Sequence, residues 1–184
     1  MSLKICFLAP STFGKSTAVD IFKKNFNEKI KNIKIAEPLY YLQSVFYDFI
    51  GKDIEGKQDG ELLQFYGVKI RQEKPEFLLN YFKQKIDENS DAKIILNDDC
   101  RPYDYDFLKL LGFIFIRING QYRNREDHSP IDKKAALEWQ TGIPCDYEVN
   151  NLGTLEEYEE NILQLFERII DERQVLHNPC TKHL

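Results

Sequence analysis

The 184-residue sequence has little of several things, beginning with cysteine, of which there are four. Cys6, Cys100, Cys145 and Cys180 lie 94, 45 and 35 residues apart, so there is no C-x-x-C pair, no zinc spacing and no disulfide framework. Free thiols in a reducing, cytoplasmic setting are expected. Long hydrophobic runs are missing too: the longest, residues 110–116, has seven residues, where a membrane span needs about 20. The apolar run near residue 1 is too short for a signal peptide, so no membrane partner is expected. Positive charge is not in excess, with 25 Lys and Arg against 30 Asp and Glu. Residues 154–175 hold seven acidic side chains and two arginines, which leaves 23 of each sign elsewhere. A chain without a basic field is not expected to bind nucleic acid. Internal repeats and low-complexity segments are absent.

What is present is a core: 42% of residues are hydrophobic and 13% aromatic. A chain of this length buries roughly 70% of the surface it exposes when unfolded, so one domain over residues 1–176 is expected, with a frayed tail over 177–184. Residues 4–8 read as a buried strand, and residues 15–30 carry Val19, Phe22, Phe26 and Ile30 at helical spacing. Residues 33–35 read as a second strand. From Pro38 a helix follows, with Leu39, Leu42, Phe46 and Phe49 on one face. Further helices are predicted over 61–71, 75–88 and 105–111, and strands over 94–97, 113–118 and 146–149. A final helix opens at Thr154, where Thr154 and Glu157 fit a capping box. Strands alternating with helices imply a three-layer α/β/α fold around a parallel sheet of about five strands. Residues 119–142 are polar and rich in arginine, with a short helix predicted near 131–139, and read as an excursion from the core.

Between the first strand and helix, Ala9-Pro10-Ser11-Thr12-Phe13-Gly14-Lys15-Ser16-Thr17 has the spacing of a P-loop, with alanine at the first glycine position. In such a loop, backbone N–H groups and a helix N-terminus converge on phosphates. Lys15 would neutralise the transferred group and the Ser16 hydroxyl would bind Mg²⁺. Ala9 fits only at negative φ, whereas Gly14 must allow close approach. Phe13 is bulky and is expected to pack over the bound ligand. The base-reading N-K-x-D of GTPases is absent, and the chain length, the helices between the second and third strands and the late excursion suit a nucleotide or metabolite kinase.

The P-loop, together with AEPL at 36–39, LLQFYGVKIR at 62–71, NDDCR at 97–101, DH at 127–128 and NNLGTLEEY at 150–158, resembles the phage-type deoxynucleoside monophosphate kinases across residues 3–170. Dephospho-CoA kinase is similar in the stretch from Leu62 to Arg71. The resemblance implies a P-loop kinase fold, ATP and Mg²⁺ as cofactors, and transfer of the γ-phosphoryl group to a nucleoside monophosphate. Residues 37–90 would be the acceptor-binding part and 119–142 the lid. For ATP it implies the backbone and side chains of Ser11, Thr12, Phe13, Gly14, Lys15, Ser16 and Thr17, with Asn151, Gly153 and Thr154 at the adenine or as a plain helix cap.

For the acceptor it implies Arg71 and Arg101 as phosphate ligands, or Arg71 as a solvated arginine at a helix end. Glu37 holds a sugar hydroxyl or orients the acceptor, or caps a helix. Of the Asp98–Asp99 pair, Asp99 is the candidate Mg²⁺ carboxylate, with turn initiation before Pro102 as the alternative. Arg123 and Arg125 are candidate lid arginines that meet accumulating charge, and His128 is a lid-packing residue. Tyr40, where the family often has lysine, and Ser129-Pro130-Ile131 depart from the family pattern. Phe46, Tyr66 and Trp139 could stack on a base, but nothing in the sequence selects them, and they are not counted among the site residues. A monomer or a homodimer is expected. Another small-metabolite kinase and an ATP-binding regulatory protein without turnover are the competing readings.

Overall fold

The computed structural model describes residues 2–54, 56–121 and 142–177. Five strands, β1 (Leu3–Leu8), β2 (Ile30–Asn32), β3 (Ile94–Asn97), β4 (Ile114–Gly120) and β5 (Tyr147–Asn151), form one sheet in the order β2-β3-β1-β4-β5. Parallel pairing sets Leu3 opposite Ile94, Ile30 opposite Ile94 and Ile116 opposite Tyr147. Six α-helices cover the sheet: α1 (Lys15–Asn25), α2 (Glu37–Phe49), α3 (Gly60–Glu73), α4 (Phe77–Glu88), α5 (Tyr105–Leu110) and α6 (Leu155–His177). The result is the expected three-layer α/β/α arrangement. Ile5, Cys6, Phe7 and Leu8 are all buried, as are all four residues of β3, because helices on both faces leave a central parallel strand no solvated side.

The chain divides into two compact units, Met1–Phe7 with Glu28–Ile114, and Leu8–Asn27 with Phe115–Leu184. In the first, α2 begins with Pro38 in its first turn. The Asp59 carboxylate caps α3 by accepting the Leu62 N–H at 3.0 Å. Leu78, Phe82 and Ile86 give α4 its buried face. In the second unit, Phe22 of α1 and Phe26 just after it meet the Phe166 ring of α6 at centroid distances of 4.8 and 4.3 Å. The predicted capping box forms: the Thr154 N–H donates to Glu157 Oε2 at 2.8 Å and the Glu157 N–H to Thr154 Oγ1 at 3.2 Å. Among the described residues no helix is long and apolar enough to cross a membrane.

Several elements differ from expectation in their bounds. Helix α1 stops at Asn25, where Phe26 is extended at φ −116°, and β2 occupies residues 30–32 rather than 33–35. Ile33 still donates its N–H to Leu96 O at 2.9 Å. Beyond it the chain turns, because the N–H groups of Ile35 and Ala36 bind the Asp99 carboxylate at 3.0 and 2.8 Å. Ile33 and Ile35 are buried by this turn, so their alternation reports burial and not a ladder. Strand β4 also runs two residues further than expected, to Gly120. The predicted helix at 131–139, Arg123, Arg125, His128, Trp139 and residues 178–184 lie outside the described residues.

Candidate active site

In the second unit, the loop from Ala9 leads directly into α1. Gly14 precedes the helix at φ 98°, ψ 19°, and Thr12 is the single non-glycine residue described at positive φ, 71°. Ala9 keeps negative φ, as its Cβ requires. Left-handed residues in such a turn direct consecutive N–H groups to one side, and the first N–H groups of α1 lack intrahelical acceptors. A β-branched side chain in the left-handed region costs about 1–3 kcal/mol. That Thr12 adopts it, with its hydroxyl buried and unpartnered, marks the loop as strained. The Lys15 ammonium donates to the carbonyls of Ala9 and Pro10 at 2.7 and 2.8 Å, which spans the loop with a fixed positive charge. The Ser16 side chain is exposed and Thr17 half-buried.

Two residues from the far end of the chain fasten this loop. Asn151 Nδ2 donates to Phe13 O at 2.9 Å, and the Tyr158 hydroxyl donates to Gly14 O at 3.1 Å. Burial raises the pKa of the Tyr158 phenol, which keeps it a donor. The expectation for Asn151 is a place at the adenine, and the structure gives its amide this latching role. Tyr158 reads in the sequence only as part of an apolar helix face, and a lone hydroxyl there gives no signal. Gly153 has a steric cause, since a Cβ would run into Glu157 Oε2. Thr154 forms the helix cap with Glu157, and Gly153 stands beside it. Phe13 is 4% exposed, and its ring lies where a Cβ on Gly120 would approach to 3.1 Å. Its ring belongs to the core, so only its backbone is left to face a ligand.

In the first unit, a second group forms around the ends of β3 and α3. Asn97, fully buried, donates to Ile33 O and Asp99 Oδ1 and accepts the Cys100 N–H. Asp99 thus receives three N–H donors, and burial raises its pKa against their opposite pull. Its carboxylate shapes the turn into α2. Asp98 is buried with Asn32 at 3.1 Å and the Lys34 ammonium at 3.7 Å. The Tyr40 phenol is pushed up to about 12 by burial and by Asp99 and Asp98. Glu37 is exposed at the first turn of α2, and with burial it raises the Tyr81 phenol. Phe46 is exposed, while Tyr66 is half-buried and 5.9 Å from Phe65.

Arg71 sits in the last turn of α3. Its guanidinium stacks on the Tyr103 ring at 4.4 Å, lies 3.7 Å from Asp104 Oδ1, and donates to Gly67 O at 3.3 Å. The Arg101 side chain is exposed, while its N–H donates to Asp104 Oδ2 at 3.0 Å. Sequence reasoning misses Asp104, although an aspartate three residues after Arg101 and just before a helix is a helix-start signal. Cys6, Cys100 and Cys145 are free, and burial pushes the Cys6 thiol well up, which leaves it unreactive. Among the described residues no group of three or more His, Cys, Asp or Glu could hold a metal. A P-loop Mg²⁺ needs only one or two hard oxygens from the protein beside those of phosphate, a class to which Ser16 and Asp99 belong.

No family model and no curated protein matches the chain. Solved structures do. A gluconokinase from Sinorhizobium meliloti is similar with TM-score 0.54 and 14% identity, over 96% of this chain and 98% of that one. A sugar kinase from a Janibacter species gives TM-score 0.51 and 12% identity, over 93% and 95%. A shikimate kinase from Aquifex aeolicus gives 0.50 and 14%, over 91% and 98%. The chain shares the three-layer α/β/α fold of these structures.

Proposed function

We propose that the protein is an ATP-dependent phosphotransferase whose acceptor is a nucleoside monophosphate. The observation that carries this is the loop between β1 and α1, with Thr12 and Gly14 in left-handed geometry and the Lys15 ammonium held across it. The N–H groups of residues 13–17 would bind the donor phosphates, and Lys15 would neutralise charge on the transferred group. The Ser16 hydroxyl, with Asp99 acting through water, would hold Mg²⁺, which supplies charge neutralisation on the phosphates. Arg71 and Arg101 would grip the acceptor phosphate, Glu37 its sugar, and Arg123 and Arg125, in a lid over 119–142, the migrating charge. Catalysis by positioning and electrostatics suits this inventory, since phosphoryl transfer asks for little covalent chemistry from the protein.

The resemblance of NDDCR and LLQFYGVKIR to deoxynucleoside monophosphate kinases supports the acceptor class. The fold neighbours, kinases of shikimate, gluconate and another sugar by their names, support a second reading, a kinase of a small metabolite. A coupled assay of ADP release against nucleoside monophosphates, dephospho-CoA, shikimate and gluconate separates the two. Turnover with monophosphates that Lys15→Ala abolishes is the expected result, and turnover with a sugar or dephospho-CoA alone would replace the acceptor class. ATP binding without turnover on any of them would leave a regulatory protein.

A further inference from the structure

Arg71 and Arg101 come from different segments, α3 and the turn after β3, and a long flexible side chain at each would not by itself aim at one point. One residue links them. The Asp104 side chain is 2% exposed, against 27% for that of Arg71. One oxygen accepts the Arg101 N–H at 3.0 Å, and the other lies 3.7 Å from Arg71 Nη2. Arg101 O in return accepts the Asp104 N–H at 2.9 Å. The adjacent Tyr103 ring, itself 62% exposed, supports the flat face of the same guanidinium at 4.4 Å. A Cβ on Gly67 would come within 3.2 Å of Arg71 Nη1, so that the guanidinium would have to give by a few tenths of an ångström.

A guanidinium carries five N–H donors, and among the described residues one hydrogen bond uses Arg71's, the long one to Gly67 O. The group is therefore oriented by an ion contact, a ring and a backbone carbonyl while most of its donors stay available. Burying a carboxylate costs more than burying an apolar side chain of like size. The Asp104 side chain also closes a capping box with Arg101 in the Pro102–Asp104 turn, but an amide oxygen could accept that N–H as well as a carboxylate. We propose that Asp104, with Tyr103, is the positioning residue that sets Arg71 and Arg101 as one clamp for the dianionic phosphate of the acceptor. The inference rests on reading this group as the acceptor side of a phosphotransferase, and it adds a residue that acts through the arginines without touching substrate.

The probe is inorganic phosphate, titrated without ATP into protein whose arginine Nε–H groups are followed by ¹⁵N NMR. Phosphate is expected to shift Arg71 and Arg101 together in the native protein. Asp104→Asn keeps the acceptor for the Arg101 N–H but removes the charge beside Arg71, and is expected to weaken phosphate binding about tenfold, the worth of one charge-assisted contact. In turnover the same variant should raise KM for the monophosphate while KM for ATP and kcat hold, a split that mere loss of stability would not produce. Gly67→Ala provides a second arm: alanine favours the helix, and its methyl would press the guanidinium aside by a few tenths of an ångström, so phosphate affinity should fall by less than in Asp104→Asn while folding is kept. Equal phosphate affinity in native and Asp104→Asn protein overturns the inference. Tighter binding also overturns it, since Asp104 would then be a competing counter-charge. Shifts at neither arginine would do the same. Phosphate binding as expected, in a protein that transfers no phosphoryl group, would instead overturn only the proposed function.

Discussion

The sharpest test of how the turn between β1 and α1 is built is Gly14→Ala combined with Asn151→Ala. Gly14 stands at φ 98°, outside the left-handed well that alanine tolerates best, and an alanine there costs about 2 kcal/mol in backbone strain. Its methyl would also lie 2.5 Å from Asn151 Nδ2, closer than any real contact, so the amide has to leave Phe13 O. A lost hydrogen bond of this kind costs about 1 kcal/mol, which brings Gly14→Ala to about 3 kcal/mol. Asn151→Ala alone loses the same bond and should cost about 1 kcal/mol. In the double variant the bond is lost once and the clash is gone, so the cost should be about 3 kcal/mol and not the additive value of about 4, a coupling of about −1 kcal/mol. Urea denaturation of the four proteins measures this directly. Additivity within about 0.3 kcal/mol would refute the latch, and a double variant worse than the sum would show that Asn151 supports Gly14 by some route other than Phe13 O. ATP binding should be lost in both proteins that carry Gly14→Ala, because the strained turn that aims the N–H groups no longer closes.

Three other outcomes are expected. Arg71→Ala and Arg101→Ala should each raise KM for the monophosphate by about 10- to 100-fold while KM for ATP changes little; equal weakening of both substrates in steady-state kinetics would show the arginines assigned to the wrong substrate. Burial, against the pull of Arg101 and Arg71 and with the push of Asp99, raises Asp104 to about 6 from 3.8. Its proton therefore adds stability that is complete below pH 3.8 and is lost as pH rises through 6. The difference amounts to about 3 kcal/mol between the two limits. Urea midpoints of native and Asp104→Asn protein should thus converge near pH 4 and separate above 6, with the Asn variant the more stable; parallel curves would contradict this. Thr154→Ala breaks one arm of the α6 capping box and should cost about 1 kcal/mol, read as a fall in Tm, with no change in KM for ATP if Thr154 serves only the cap.

The sequence by itself determined the alternation of strands and helices, because periodicities of about two and 3.6 are local consequences of backbone geometry. It also determined the turn between β1 and α1, whose residue types and spacing are those of a P-loop, and the Thr154–Glu157 cap, a bond between residues three apart. Ile33 and Ile35 show where this stops: alternation announces burial, but whether buried residues join a ladder depended on Asp99, some 64 residues away, taking the N–H groups of Ile35 and Ala36. Phe13 was legible as bulky yet not as core, since the space it fills exists only because Gly120 ends β4 beside it. Asn151 belongs to the same class, as does the contact of Asp104 with Arg71. Each binds a group whose partner is fixed by the sheet and by helix packing, across 138 residues for Asn151 and Phe13, and no local pattern encodes such a distance. What the tertiary structure alone decided is therefore which polar side chains are spent on holding loops and which are left to meet a ligand.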